Sequence, residues 1–481
     1  MIELGQWLPD QPALGSAGVT VAKNVLPAAR GYKPFPDLSA LSQAASERLT
    51  NLAATKTAGG TVTIYAGGLS KLFKFVKATG ALADVSKSGG YATASTDRFY
   101  FTSFGDRLIA CNNADPLQFV SIASGGNFAD LVASLSSKFI TTVRDFVVTA
   151  NVTESGTPTT YRVRWSAIND ATSWTVGTNQ ADYQDIADAG AITGLAGGEF
   201  GVVFLERAIV RMQYVGSPLV FQFDRVETAR GCEYPGSVVQ LGSACFYIAS
   251  DGFYVFDGNA SRPIGSERVN RWFFDNSNAA YRDRITAAVD PLNQLVMWSF
   301  PSAQSGGGPD RLIVYNFAID KWAYAEVTND FVAPLFNASY TLDDLDSISG
   351  SLDALGVSLD SSSLKLGKFV FGGGVANKIG TFTGSNLAAT IETAEANLVD
   401  GGHALVTQVT PHTTGGTVTV QVGERARQQD SVSWGAASSL NDAGFCPVRS
   451  ANKYHRARLN LSGEWSYAQG IDLAASRMGR R

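Results

Sequence analysis

Six segments of the sequence share one local pattern, and this pattern limits the fold more than any other feature of the chain. Each segment holds two short runs of β-branched and aromatic residues on either side of turn-forming residues. Runs of this length and composition, bounded by turn residues, are typical of β-hairpins. The segments are residues 61–76, 98–111, 139–151, 199–214, 245–258 and 294–327. The sequence therefore predicts an all-β protein.

The fifth segment carries the clearest turn signals. One Asp-Gly pair separates its two aromatic runs, and a second pair follows them. Asp-Gly is a strong hairpin signal because both residues tolerate positive φ. We therefore predict structural turn roles for the four residues of these pairs, Asp251, Gly252, Asp257 and Gly258.

The six segments recur at a loose interval. Their first residues, at positions 61, 98, 139, 199, 245 and 294, lie 37, 41, 60, 46 and 49 residues apart. The four-stranded blades of a β-propeller take about 40 to 50 residues each. Stacked β-sandwiches, the alternative, place turns every ~8 to 12 residues without this longer period. The spacing therefore favours a β-propeller of about six blades over residues 58–335.

The regions outside these segments predict a second domain. Residues 1–57 begin with a Pro-rich arm and then place leucines at helical spacing, which predicts a short amphipathic helix over residues 38–52. Residues 336–388 hold a loop-rich excursion with repeated Leu-Asp pairs, followed by a return strand of the propeller. Alternation of apolar and polar residues resumes over residues 389–481. We predict that this region is a β-sandwich-like platform domain, formed by the two chain ends together.

Charge and hydropathy disfavour several classes of protein. The chain has 38 Lys and Arg against 43 Asp and Glu, a formal net charge of −5. This balance disfavours tight nucleic-acid binding, which needs a basic surface to neutralise phosphates. The sequence shows no basic start followed by an apolar stretch, and no run of about 18 apolar residues. It predicts neither a secretory precursor nor insertion into a membrane.

Motifs that carry chemistry are missing from the sequence. The three histidines, His403, His412 and His455, lack cysteines or carboxylates at metal-ligand spacing. The motif G-x-S-x-G does not occur, and the triple glycine at 372–374 lacks the Lys and Ser or Thr of a phosphate-binding loop. The four widely spaced cysteines are expected to be reduced and buried. We therefore predict no enzyme activity, no catalytic residue, no cofactor and no metal site.

The order of several segments resembles one protein family. These segments are WSAINDATSW at 165–174, residues 206–276, LIVYNFAIDKWAYAE at 312–326, the TLDDLD and SLDSSS elements, and VTVQVGER, YHRARLNLSGEW and GID near the C-terminus. In their succession, over roughly residues 160–475, the chain resembles the hub and nozzle proteins of short-tailed bacteriophages. These proteins form the distal ring of the tail.

The resemblance implies a homohexameric ring of propeller subunits whose platform docks on the tail adaptor ring above. It further implies contacts with tail fibres or with tip or plug proteins. Viral double-stranded DNA would pass through the ring without specific binding, so that the ring retains the packaged genome and later conducts its ejection. Such a subunit would be a virion protein of the tail, made in the cytoplasm of the bacterial host and added during portal–tail assembly.

Two sets of charged residues are candidates for these roles. Six copies with a net charge of −5 would carry −30, and an acidic wall repels phosphates so that DNA slides. The candidate channel-lining residues, which a solvated loop would also explain, are Asp343, Asp344, Asp346, Asp353 and Asp360. Arginine is favoured at interfaces for its planar, multi-donor head. The candidate adaptor or subunit contacts, with plain solvated side chains as the alternative, are Arg456, Arg458, Arg477, Arg480 and Arg481.

A function of another class stays open. A propeller that binds or depolymerises host-surface polysaccharide would need aromatic residues and paired carboxylates on one face. The segment 165–174, with a predicted Asx turn at Asn169-Asp170 and Trp174 as a core anchor, is similar to a turn motif of propeller glycosidases. That motif is architectural and does not indicate hydrolysis. An extracellular adhesin is a third interpretation, which the missing signal peptide disfavours.

Overall fold

The computed structural model describes residues 1–336, 369–400 and 402–478, and most of its regular structure is β-strand. The N-terminal segment provides five short strands before the first blade. They are β1 (Ile2–Glu3), β2 (Val19–Lys23), β3 (Val25–Pro27), β4 (Tyr32–Pro34) and β5 (Pro36–Ala40).

The next twenty strands form five antiparallel sheets of four strands each, in which every strand pairs with the next along the chain. The first two sheets contain β6 (Asn51–Lys56), β7 (Val62–Gly67), β8 (Leu72–Val76), β9 (Ala81–Asp84), β10 (Tyr100–Phe104), β11 (Arg107–Cys111), β12 (Leu117–Ser121) and β13 (Gly125–Val132). The next two contain β14 (Leu135–Val143), β15 (Phe146–Glu154), β16 (Thr157–Trp165), β17 (Asp182–Asp185), β18 (Ile192–Ala196), β19 (Gly201–Leu205), β20 (Ile209–Gly216) and β21 (Val220–Glu227). The fifth contains β22 (Val239–Leu241), β23 (Ala244–Ala249), β24 (Gly252–Phe256) and β25 (Ser261–Pro263).

Two further units of four strands complete the ring. The first contains β26 (Thr286–Asp290), β27 (Leu295–Phe300), β28 (Arg311–Asn316) and β29 (Lys321–Glu326). The second contains β30 (Phe331–Phe336), β31 (Phe369–Val375) and β32 (Lys378–Asn386), and β5 is its fourth strand. The helical elements of the described residues are short: α1 (Asn270–Asn276) and 3₁₀ turns at Pro235–Ser237 and Ala279–Arg284.

The predicted all-β propeller is confirmed. Six separate four-stranded sheets match the expected number of about six blades. The unit β26–β29 stands between two of them in the ring and differs from them, because its last strand also pairs with β2 of the chain-end sheet. The innermost strands that meet around the axis are β6, β10, β14, β18, β22, β26 and β30. Each of the six predicted hairpins falls in a different four-stranded unit.

The predicted helix over residues 38–52 is wrong. Leu38 lies in β5, where it pairs with Phe382 of β32, and Leu52 lies in β6. The residues between these two strands form no helix. Leu49 and Leu52 are buried in the core between neighbouring blades. The leucine spacing therefore reflects two strands and a buried crossing between them, and not one face of a helix.

Both chain ends form a single curled sheet, the platform. Its C-terminal strands are β33 (Ala389–Thr393), β34 (His403–Arg425), β35 (Ser433–Trp434), β36 (Ser438–Ser439), β37 (Cys446–Asn452) and β38 (Tyr454–Met478). The long strands β34 and β38 pair along their length, and β38 also pairs with β33, β1 and β4. Register shifts near Gly415 and Gly416, with φ of +74° and +69°, bend this ribbon at its middle. The platform is thus one bent sheet, continuous through β2 with β26–β29.

One hydrophobic core joins the platform to the propeller. Trp7 and Trp272 meet edge to face with their ring centroids 4.8 Å apart, and Tyr324 of β29 packs within 5.0 Å of both. Trp7 comes from the N-terminal segment and Trp272 from α1. The same core continues through Trp298 and Trp322 of the propeller to Trp465 of β38.

Local details match several expectations from the sequence. All four cysteines are free and buried. The carboxylate of Asp170 accepts the backbone N–H of Thr172 at 2.8 Å, which closes an Asx turn, and Trp174 is buried behind it. Gly258 has φ +104°. The turn predicted at Asp251-Gly252 lies one residue earlier, at Ser250-Asp251, since Gly252, with φ +142°, is the first residue of β24 and pairs with Ala249. Asp257 accepts the backbone N–H groups of the two residues that end its turn.

Replacing Gly252 with valine should lower the free energy of unfolding by about 1 kcal/mol or more, because an L side chain is strained at this φ. The new side chain would also collide with Asn270, whose amide lies where its Cβ would be. Urea denaturation followed by tryptophan fluorescence measures the change. Gly105→Asn is the matched control, since Gly105 has φ +56° with open space around it and should be affected less. Equal stability of wild type and Gly252→Val would show that this turn does not require glycine.

Candidate functional site

Three of the ten charged residues predicted to act in conduction or assembly fall within the described residues. Arg456, Arg458 and Arg477 all lie in β38. The others lie outside the described residues: Asp343, Asp344, Asp346, Asp353, Asp360, Arg480 and Arg481. The candidate site is therefore built from β38 and the strands beside it.

Arg458 is engaged within its own chain. Its Nε donates to Glu392 Oε1 at 2.6 Å, and Glu392 is the residue opposite it on β33. The guanidinium also stacks on the ring of Trp434 with its centre 3.8 Å from the ring centroid, a cation–π contact. Two neighbouring strands thus fix the Arg458 side chain from both sides.

A buried carboxylate organises the arginines beside Arg458. Glu395, whose side chain is 1% exposed, accepts two hydrogen bonds from Arg425, at 2.7 and 2.5 Å. Arg456 Nη2 lies 3.6 Å from the same carboxylate. The bidentate bond raises the pKa of Arg425, because the carboxylate favours the charged guanidinium. This cluster ties β34 and β38 to the chain just after β33.

Arg477 differs from the other two arginines. It lies near the end of β38, opposite Ala404, and its side chain is exposed. It makes no ion pair with the residues that the structure describes. Its guanidinium is therefore available to a partner, whereas those of Arg456 and Arg458 already have acceptors in the same chain. The predicted role in partner contact stays a prediction for all three.

Sequence reasoning missed the acidic partners of this site. The spacing of Arg456 and Arg458, two positions apart, indicated a common strand face. It did not predict that Glu392 and Glu395 pair with them, nor that Arg425 joins the cluster. The sequence did contain one indication of these partners. The segment ATIETAEANL at 389–398 alternates apolar and polar residues, as a strand does, and carries both glutamates. The sequence pattern does not predict the order of strands in the sheet, and it is this order that brings residues 389–398 beside β38.

The three histidines do not come together. His403 is exposed at the start of β34, and His412 Nε2 lies 2.8 Å from Asp472 Oδ2 on the same strand pair. His455 lies on the opposite face of β38 from Arg456, is 1% exposed, and has no hydrogen bond to either ring nitrogen. Burial lowers the pKa of His455, in spite of nearby Glu424. His455 is therefore held neutral in the folded platform.

Neither the acidic and sulfur-containing side chains nor the triple glycine of the described residues forms a ligand site. Within residues 1–336, 369–400 and 402–478, no group of three or more His, Cys, Asp or Glu side chains is placed to hold a metal ion. The triple glycine at 372–374 lies inside β31, paired with β30 and β32 and packed against Phe331 and Leu335. Its glycines allow close strand packing and form no phosphate cradle. No helix in the described part of the chain is long and apolar enough to cross a membrane.

The propeller axis is closed at one end by Arg98. This residue precedes β10, and its guanidinium donates to the backbone carbonyl of Ile285, at 3.0 Å, and to that of Asp283. Both carbonyls precede β26, which lies across the ring from β10. The Arg98 side chain therefore spans the axial opening on that face.

Comparisons with known proteins add no argument about the role of this chain. No family model matches the sequence, and no curated protein matches it. Among solved structures, the computationally designed Ika8 protein is 12% identical with a TM-score of 0.34, over 71% of this chain and 99% of that one. A chain of the mitotic checkpoint complex is 6% identical with a TM-score of 0.37, over 70% of this chain and 92% of that one. Similarity this low supports no functional inference.

Because His455 is buried, we expect the stability of the platform to fall at acidic pH. Because its folded pKa lies below the usual 6.5, the unfolded chain binds the proton first as pH falls. The free energy of unfolding should therefore decline below about pH 6.5 through this group. His455→Leu should lose less stability than wild type between pH 7.5 and pH 5.5 in urea titrations.

His403→Asn is the matched control, since His403 is exposed, and it should keep the pH dependence of the wild-type protein. The same loss of stability in His455→Leu and wild type over this pH range would contradict the assignment of His455.

Proposed function

We propose that this chain is a structural subunit of a short-tailed bacteriophage tail, a hub or nozzle protein that assembles as a homohexameric ring. Its platform meets the adaptor ring, and its propeller points away from the capsid. Tail fibres and tip or plug proteins are its further partners. Double-stranded viral DNA is retained by the ring and then passes through its lumen without specific binding. The subunit is a virion component and catalyses no reaction.

The observation that carries this proposal is the sheet shared by both chain ends and the unit β26–β29. In a subunit that lies between an adaptor and the tail tip, the platform that contacts the adaptor must keep a fixed orientation relative to the propeller. Domains joined by a linker move relative to each other by default. Here β29 pairs with β2, β2 with β33, and β33 with β38, and one aromatic core backs the junction. This construction supports a rigid two-part subunit of the kind that the sequence resemblance implies.

The closed propeller axis supports a lumen between subunits as the route for DNA. The axial cavity has a volume of about 440 Å³ and is spanned at one end by Arg98. A duplex whose major groove alone is about 12 Å wide does not fit there. The passage in this proposal therefore lies on the ring axis of the hexamer, outside each propeller.

The charge of the chain fits passage without adhesion. A net charge of −5 per subunit gives −30 for six copies. Strong phosphate binding releases counterions from DNA and depends on clustered Lys and Arg. In the platform, Arg425, Arg456 and Arg458 face Glu392 and Glu395, which offset most of their charge within the chain. These arginines therefore bind phosphates less strongly than unpaired cations would.

Electron microscopy of the purified chain, alone and with its adaptor protein, tests the proposal. We expect six-fold rings, and we expect Arg477→Glu to prevent adaptor binding because Arg477 is an exposed platform arginine that makes no ion pair with the described residues. Arg207→Glu, an exposed arginine on the β19–β20 turn of the propeller, is the matched control and should assemble like wild type.

The competing function gives a different outcome. A monomeric chain that releases sugars from capsular polysaccharide, with the activity abolished by substitution of a single carboxylate, would contradict the proposal. Normal adaptor binding by both arginine variants would show that Arg477 is not the docking residue, without bearing on ring formation.

A further inference from the structure

The axial cavity of the propeller is a blind pocket with an apolar wall. Its volume of about 440 Å³ lies within the range of small-molecule sites in proteins. The inner strands β6, β10, β22, β26 and β30 supply its walls, mainly with small and aliphatic residues. Half-buried wall residues include Ala53, Val239 and Ala287. Because Arg98 spans one end, a ligand would enter from the other.

The closed end carries an unpaired positive charge. Arg98 donates only to backbone carbonyls, and no carboxylate of the described residues lies within ion-pair distance of its guanidinium. An arginine side chain stays protonated in proteins. The closed end of the pocket therefore carries the charged guanidinium of Arg98. Its hydrogen bonds to the carbonyls of Ile285 and Asp283 use two of its N–H groups, and the others have no acceptor among the described residues.

Neighbouring charges do not cancel this cation. Arg48 and Arg284 lie with Arg98 around a small adjoining cavity, together with Asp97, Asp283 and Asp330. Lys138 already pairs with Asp97 at 2.8 Å, so three arginines face two unpaired carboxylates. The pKa of Arg48 is lowered by burial and then by repulsion from Arg284 and Arg98, whereas that of Asp330 is raised by burial alone, against the opposite effect of the two arginines.

A second donor lies beside Arg98. Tyr100 is the first residue of β10, two positions after Arg98, and both residues line the axial cavity. Its ring packs at 5.1 Å from that of Phe139, and its hydroxyl makes no hydrogen bond with the described residues. Burial raises the pKa of Tyr100, so its hydroxyl remains a proton donor. The half-buried Tyr100 therefore offers a hydroxyl donor to the cavity that it lines together with Arg98.

We propose that the axial pocket binds a small organic carboxylate, whose apolar body lies along the inner strands and whose carboxylate accepts hydrogen bonds from Arg98 and Tyr100. A charged donor and a neutral donor that line one cavity can serve the two oxygens of one carboxylate. The apolar wall favours an aromatic or branched aliphatic body over a sugar or a nucleotide. This site is separate from the platform and does not depend on ring assembly.

Calorimetric titration of the full chain with benzoate tests the site, with benzamide as the uncharged probe of the same shape. We expect one benzoate per chain and at least tenfold weaker binding of benzamide. Tyr100→Phe removes a hydroxyl that no described residue uses, so it should keep the fold and weaken benzoate binding about tenfold. Ala287→Leu, which fills the pocket, should abolish binding.

Tyr183→Phe is the matched control, because Tyr183 is an exposed tyrosine of β17 outside the pocket, and it should bind benzoate like wild type. Circular dichroism and thermal melting check that each variant is folded. No benzoate binding by the wild-type chain, or equal binding by wild type, Tyr100→Phe and Ala287→Leu, would overturn the proposal. A crystal structure grown with benzoate that shows only water in the pocket would overturn it as well.

Discussion

The structure depends on the aromatic core between the platform and the unit β26–β29. Trp7, Trp272 and Tyr324 meet there from the N-terminal segment, from α1 and from β29. Large aromatic side chains bury much area and fix the geometry of the elements they join. Asn24 completes the junction, since its amide donates to Ala388 at 2.8 Å and accepts the backbone N–H of Glu326 at 2.8 Å. Chain end and propeller therefore form one rigid unit.

Local patterns predicted the blades because hairpins are local structures. Alternation with a period of two and Asp-Gly or Gly-rich turns located a hairpin in each of six units. The unit of β30–β32 and β5 escaped, because its strands come from distant parts of the chain and pair only in the closed ring. For the same reason the leucines of residues 38–52 suggested a helix, since their burial depends on strands that the local pattern does not contain.

The candidate site shows the same limit more strongly. Strand alternation indicated that Arg456 and Arg458 share a face, and the structure agrees. Their acidic partners could not be predicted, because Glu392 lies 66 residues before Arg458 and meets it only through pairing of β33 with β38. Arg98 was likewise visible only as the first residue of a hairpin segment. Its role in closing the axis arises from the ring, which brings the residues before β26 across from it.

A rigid subunit with a closed axis fits the proposed role in a phage tail, and the proposed position of that subunit in the virion is the central claim. Cryo-electron microscopy of the virus particles in which we propose that this chain is assembled tests that claim most directly. The account predicts six copies at the distal end of the tail, with platforms toward the adaptor ring, propellers outward and DNA on the common axis. Particles whose complete tail contains no density for this fold, or contains it only as peripheral single subunits, would contradict it.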